Sequence, residues 1–156
     1  MKNHRTAMLC MCITLFSYCS YAQNQSTTAE QLSNNSAQFN TLPDIITTDI
    51  ANLNTLLKAP VGYSVKVNLN ANSQLILEGQ IVSISSKLEN TIQSVVVRST
   101  NFPGTRFTFS KISKADGTLS YTGRLLNIQN GDLFELQNQN GQFVLIKKKL
   151  NDFVTD

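Results

Sequence analysis

From Gly62 to Lys149 the chain repeats a single device, a run of alternating apolar and polar residues followed by a turn-forming pair. Tyr63, Val65, Val67 and Leu69 alternate with Ser64, Lys66, Asn68 and Asn70, and a period of two places the two sets on opposite faces of a strand. Comparable runs cover residues 74–85, 92–101, 105–113, 118–129, 132–138 and 142–149, giving about seven strands. Between them stand Pro103-Gly104, suited to the centre of a type II turn, and Asp116-Gly117, Asn130-Gly131 and Asn140-Gly141, pairs that suit type I′ hairpins. Links this short leave no room for parallel crossovers, which need a dozen or more residues. The expected fold is therefore mainly β, a small antiparallel up-and-down meander curled into a barrel or a sandwich.

One short amphipathic helix is expected before the strands, over residues 45–58. Ile46, Ile50, Leu53 and Leu57 share a helical face, Thr47 or Thr48 is available as the cap, and Pro60 ends the segment. The helix and the short tail at residues 150–154 are the pieces available to cover an edge of the sheet.

Two of the runs align without gaps, residues 73–85 on residues 117–129. Leu75 matches Leu119, Gly79 matches Gly123, Ile81 matches Leu125 and Ile84 matches Ile128. In both, the apolar alternation changes phase just after the glycine, so Gly79 and Gly123 are expected to mark bulges or bends in long strands. Chance similarity between two apolar strands is the alternative.

The first 22 residues read as a secretory signal. Lys2 and Arg5 make a basic start, the apolar stretch from Ala7 to Phe16 is too short to span a bilayer, and Ser20-Tyr21-Ala22 suits cleavage after Ala22. Lipoprotein processing before Cys19 would want a small residue where Tyr18 stands. Residues 23–41 are rich in amides and hydroxyls and read as a flexible polar tether, leaving 42–156 as a single β domain. No later segment approaches 18 apolar residues, so no membrane span is expected beyond the signal.

Cys10, Cys12, Cys19 and His4, which are all the cysteines and the one histidine, lie within the expected signal. The exported chain then has no thiol or imidazole. Cys or His zinc sites, haem or iron–sulfur ligation, disulfides and Ser-His-Asp or cysteine catalysis are excluded from it, and no metal or cofactor is expected. Lys2 and Arg5 leave with the signal, so 11 of the 13 basic residues face all 10 acids. A net charge near +1 implies no general attraction to nucleic acid.

Lys147, Lys148 and Lys149 form the one charge run and are the tentative surface or ligand contact, for an anionic group such as a phosphate or an acidic polysaccharide. The structural alternative is a solvated ladder, with Lys149 across from Asp132 if Asn140-Gly141 makes a two-residue hairpin. Asp132 and Glu135 are three apart on one strand and point to opposite faces, poor geometry for paired carboxylates. Glu78, in a mainly apolar strand, has no partner that the sequence identifies. Asp116-Gly117 and Gly131-Asp132 lack the repeated acids of a calcium loop. Phe102, Phe107, Phe109, Tyr121, Phe134 and Phe143 read as core, with a ligand lining as the alternative. No catalytic residue is assigned. The expected function is an exported, secreted or periplasmic, non-enzymatic binding module for an extracytoplasmic protein or glycan, the alternative being a carrier of a small apolar ligand inside a barrel.

Overall fold

The computed structural model describes residues 39, 41–71 and 75–149, and the statements below concern these. They lie in the second of the chain's two compact units, which begins at Leu32. The expected signal and cleavage after Ala22, most of the tether and the edge-covering tail fall outside the described residues. No helix among the described residues is long and apolar enough to cross a membrane.

In chain order the elements are β1 (Ile45–Thr47), α1 (Ile50–Asn54) continued by a 3-10 turn (Thr55–Lys58), β2 (Ser64–Asn68), β3 (Ile76–Lys87), β4 (Ile92–Ser99), β5 (Thr105–Ser113), β6 (Leu119–Asn127), β7 (Asp132–Gln139) and β8 (Gln142–Lys149). All eight strands form one sheet in the order β1-β8-β7-β6-β5-β4-β3-β2, every neighbour antiparallel. The sheet curls into a half-barrel whose two edges approach at one end. There Ala71 N donates to Thr47 O at 2.8 Å, and the buried Thr48 hydroxyl donates to Leu69 O at 2.9 Å.

The inward positions of the alternating runs supply the core. Val67, Leu77, Ile81, Val95, Val97, Phe107, Phe109, Leu125, Phe134 and Leu145 are all buried, together with Leu53 and Leu56 from the helical segment. Aromatic rings continue the packing along the concave face, with Phe109 stacked on Tyr121 at 5.9 Å and Tyr121 meeting Phe143 edge-on at 5.6 Å.

The seven expected strands are present, and an eighth, β1, occupies what the 3.6 periodicity assigned to the first turn of the helix. Residues 45–48 read Ile-Ile-Thr-Thr, four β-branched residues whose stiff side chains favour an extended backbone. Pairing with β8 satisfies their backbone and buries Ile46 as well as a helix would. The helix starts at Ile50, capped by Asp49, whose Oδ1 accepts from Ala51 N at 2.8 Å, and not by Thr47 or Thr48.

Phe39 falls within the stretch expected to be a polar tether. It is buried, meeting Phe102 at 5.9 Å and Phe134 at 5.8 Å between ring centroids. One aromatic ring in a polar stretch has enough apolar surface to dock by itself.

Asn140-Gly141 forms the expected two-residue turn, with φ of 53° and 87°, the type I′ signature. The other two expected type I′ pairs adopt positive φ at glycine alone. Around Gly117 the loop is longer, closed by Gly117 N donating to Lys114 O at 3.0 Å and held by Asp116 Oδ1, which accepts from Thr118 N and Oγ1. Around Gly131 a four-residue loop is organised by Asn127 Oδ1, which accepts from Gln129 N and Asn130 N. In both, a side-chain acceptor organises backbone that a two-residue turn would leave in the strands.

Candidate functional site

β2 has five residues and β3 has twelve, and this mismatch creates the main unsatisfied surface of the fold. The chain reaches β2 through a turn at Pro60–Tyr63, with Gly62 at φ 87° and Tyr63 N donating to Pro60 O. The last bonds from that side to β3 are Gly62 N to Ile81 O at 2.8 Å and Ile81 N to Tyr63 O at 2.9 Å. From Ser83 to Lys87, β3 pairs with β4 alone among the described strands.

The direction of the free backbone groups follows from the ladder. Residues of an antiparallel pair alternate in the side to which N–H and C=O point. Thr91 bonds toward β5 through Ser113 N, so Ile92, Ser94 and Val96 bond toward β3, opposite Lys87, Ser85 and Ser83. Ile84 and Ser86, lying between those positions, turn their N–H and C=O to the open side. The apolar side chains agree with this edge. Val61, Tyr63, Val82, Ile84 and Leu88 are five of the eight exposed large apolar residues among the described ones, and all belong to the open half of β3, the turn beside it or the hairpin after it.

Gly79 explains how the strand reaches this position. A Cβ there would stand 2.5 Å from Arg98 O and 2.7 Å from Val97 Cγ1, so only glycine lets β3 and β4 approach so closely. The bulge itself lies between Ile81 and Ser83, just beyond the glycine, with Gly79 paired in register to Val65 and Ser99. It leaves Val82 unpaired and sets Ile84, like Ile81, opposite a buried valine of β4. At Gly123 the expected bulge is absent: the residue pairs in unbroken register with Phe109, and its missing side chain makes room for Leu136, whose Cβ lies 3.2 Å from where its own would be. Leu126, which broke the alternation, pairs with Leu133 on the other face of the sheet. Both glycines face inward and yield space to a neighbouring strand, so the alignment marks one packing role and a single bulge.

The hairpin after β3 is unusual. Leu88, Glu89 and Asn90 have φ of 49°, 52° and 69°, three consecutive non-glycine residues in the left-handed region. Each costs on the order of 1 kcal/mol, least for Asn. The Ser86 hydroxyl donates to Asn90 Oδ1 at 2.6 Å and Thr91 N donates to Leu88 O, which hold the turn and leave Leu88 projecting.

The three lysines expected to make a surface contact are divided among different roles. Lys147 lies on the inner face opposite Phe134, and its Nζ donates to Phe39 O at 2.8 Å. Lys148 faces outward and bridges to Glu135 at 2.6 Å, and Glu135 also holds Arg124 at 3.2 Å. Lys149 pairs with Asp132 in the ladder, the register that a two-residue turn at Asn140-Gly141 requires. The hydrogen bond from Lys148, reinforced by Arg124, holds the Glu135 carboxyl below the usual glutamate range against the opposing effect of burial. No single anion meets all three ammonium groups.

Asp132 and Glu135 fall on opposite faces, as their spacing requires. Glu78, partnerless in the sequence, bridges to Lys66 at 2.7 Å on the exposed surface. The Asp116 carboxyl is lowered by the hydrogen bonds from Thr118 and serves the turn.

A second opening lies between β6 and β7. Their ladder ends at Arg124 and Glu135 while both strands continue, leaving a cleft of about 430 Å³ lined by Thr108, Thr122, Gly123, Arg124, Glu135 and Leu136. Its charges are already spent on one another.

The open edge was not identified from the sequence. Its signal there is the uncharged stretch from Gly79 to Ser86, flanked by Glu78 and Lys87, in a strand longer than its predecessor. Pairing partners of a long strand are set by tertiary geometry, so the excess length by itself does not say which end is left open.

No protein-family model matches the chain, and no curated protein matches it. A solved structure described as "Structure of a chaperone-substrate complex" is similar over 72% of this chain and 86% of that one, at 18% identity and a TM-score of 0.44. A likeness at that level carries no argument about this protein.

Proposed function

We propose that this protein is an exported, non-enzymatic interaction module that binds an extended polypeptide segment by adding it as a strand beside the open half of β3. The observation that carries the reading is the outward-facing backbone of Ile84 and Ser86 within an exposed apolar border. Exposed strand edges offer main-chain hydrogen bonds for affinity and alternate side-chain contacts for specificity. The concave face is filled by the chain's own phenylalanine, leucine and valine side chains, which favours interaction over carriage of an apolar ligand.

A matched set of baits tests it. Ser86→Pro removes the outward N–H together with the hydroxyl bond to Asn90 and leaves the bonds of Ser85 and Lys87 to β4 in place, a substitution that edge strands tolerate. Ser86→Ala, which loses the hydroxyl alone, is the control expected to capture like the intact chain. The intact chain and both variants, shown to be folded by circular dichroism, are used to capture proteins from the envelope and medium of the source cells. The expected result is a polypeptide that the intact chain retains, that the proline variant loses, and that slows hydrogen exchange at Ile84 and Ser86. Equal capture by the intact chain and the proline variant, with no added protection at those amides, would overturn the reading.

A further inference from the structure

Resting on the strand-edge reading, we infer that the segment taken up is β3 of a second copy of this chain, paired antiparallel about a two-fold axis through Ile84. Three observations select that occupant and that register.

The first is hydrogen-bond phase. In an antiparallel pair two residues exchange bonds only if both point their backbone across the interface. Ile84 and Ser86 point outward. An axis through Ile84 sets it against Ile84 of the partner subunit as a mutually bonded pair, with Val82 opposite Ser86 of the partner subunit. Directly opposed residues share a face, and this register keeps Ile84 and Ser86 on the face they share with Val95 and Gln93 and sets Ser83 against Ser85 of the partner subunit on the other, with the bulged Val82 at the ends of the paired stretch. A shift of one residue in the sum of paired positions would set apolar against serine faces.

Charge is the second. Two-fold pairing brings like residues close to one another, so a charged centre repels itself. From Gly79 to Ser86 the strand has no charged residue. Lys87 falls opposite Ile81 of the partner subunit, so the two lysines lie at opposite ends of the paired segment. An edge left open in solution usually carries an inward charge, a proline or a lysine near its middle, and from Ser83 to Ser86 this one has none of them, the bulge at Val82 lying at its end.

Length and apolar surface are the third. The open stretch ends where the turn at Pro60–Tyr63 reaches Ile81, and the two-fold register uses the positions from Val82 to Ser86 on each copy. Beyond it the projecting Leu88 of each copy comes up against the turn around Gly62 of the partner subunit, which already occupies the outward side of Ile81. On each copy Gln80 Nε2 donates to Gly62 O at 3.0 Å, within the turn that exposes Val61 and Tyr63. The projecting Leu88, its strained turn and the exposed Val61 and Tyr63 thereby become parts of one interface.

Charge exchange at the axis tests the register. The full chain is used in reducing buffer so that Cys10, Cys12 and Cys19 do not cross-link copies, and association is followed by sedimentation equilibrium. The wild type is expected to dimerise with concentration-dependent protection of the Ile84 and Ser86 amides. Ile84→Lys and Ile84→Glu should each weaken the dimer by about 100-fold, by loss of apolar contact and by placing like charges face to face. Mixing the two variants should restore a heterodimer to within about tenfold of the wild type, which a merely destabilised fold could not do. A wild type that stays monomeric to about 1 mM overturns the inference, as does a dimer indifferent to charge at Ile84 or a mixture that forms no heterodimer. If the wild type is monomeric yet Ser86→Pro abolishes capture of a different protein, the self-pairing fails and the strand-edge reading stands. If both fail, neither survives.

Discussion

The two aligned glycines look equivalent in the sequence but differ in the hardness of what surrounds them. At Gly79 a side chain meets the carbonyl of Arg98, which is backbone in a paired strand and cannot move aside. At Gly123 the contacts are longer, 3.2 Å to Leu136 Cβ, 3.4 Å to its Cδ2 and 3.5 Å to Thr108 O, so the neighbours need give by only a few tenths of an ångström. Gly79→Val should therefore destabilise by about 3 kcal/mol or more and Gly123→Val by about 1–2 kcal/mol, measured by urea denaturation. Equal costs would contradict the packing described here. Glu135 supplies a second test at this scale. Its carboxyl is held low in the folded state by Lys148, so the stabilisation is fully present above the unfolded-state pKa of a glutamate and is lost as pH falls through the lower folded-state value. Lys148→Met should cost about 1 kcal/mol or less at neutral pH, since the bridge is only partly buried. The difference from wild type should shrink on acidification below the ordinary glutamate range, and a gap that widens there would be inconsistent with the bridge.

Among the elements, hairpins are where residue chemistry and sheet geometry meet. Asn140 at φ 53° occupies a region that favours Asn and Gly, and the turn it makes sets the β7–β8 register that places Lys149 on Asp132. Asn140→Ala should cost about 1 kcal/mol in thermal or urea unfolding. Asn130→Ala should cost less through its backbone, because the only positive φ in that loop belongs to Gly131. The helix starts at Ile50, five residues later than the expected 45, for a related reason. Periodicity locates a buried face without saying whether it belongs to a helix or to a strand, and the β-branched run at 45–48 paired with β8 when a partner was within reach.

For the whole molecule, the curled sheet needs its end filled, and Phe39 does this from outside the strands. Its ring packs on Phe102 and Phe134, and its carbonyl accepts from Lys147, a residue more than a hundred positions away. Phe39→Ala should cost about 3 kcal/mol and lower the urea midpoint without changing the slope, as expected for a cavity at a fixed fold. A neutral outcome would return Phe39 to the tether. A chain beginning at Gln23, having neither histidine nor cysteine, should keep its melting temperature when EDTA is added, and a fall of several degrees would point to a metal held by carboxylates.

The strand runs, the antiparallel order and the inward faces were legible in the amino-acid sequence because each depends on short-range terms, a period of two and the turn preferences of Gly, Asn and Asp. The opposite faces of Asp132 and Glu135 and the pairing of Lys149 with Asp132 followed from the same local geometry. Only the tertiary structure decided that residues 45–47 join the sheet, that Phe39 enters the core, that Lys147 turns inward, and that β3 outruns β2 to leave Ile84 and Ser86 facing outward. Those outcomes depend on which surfaces meet across long stretches of chain. The free energy of such a meeting resides in the pair of surfaces, so neither segment read alone contains it.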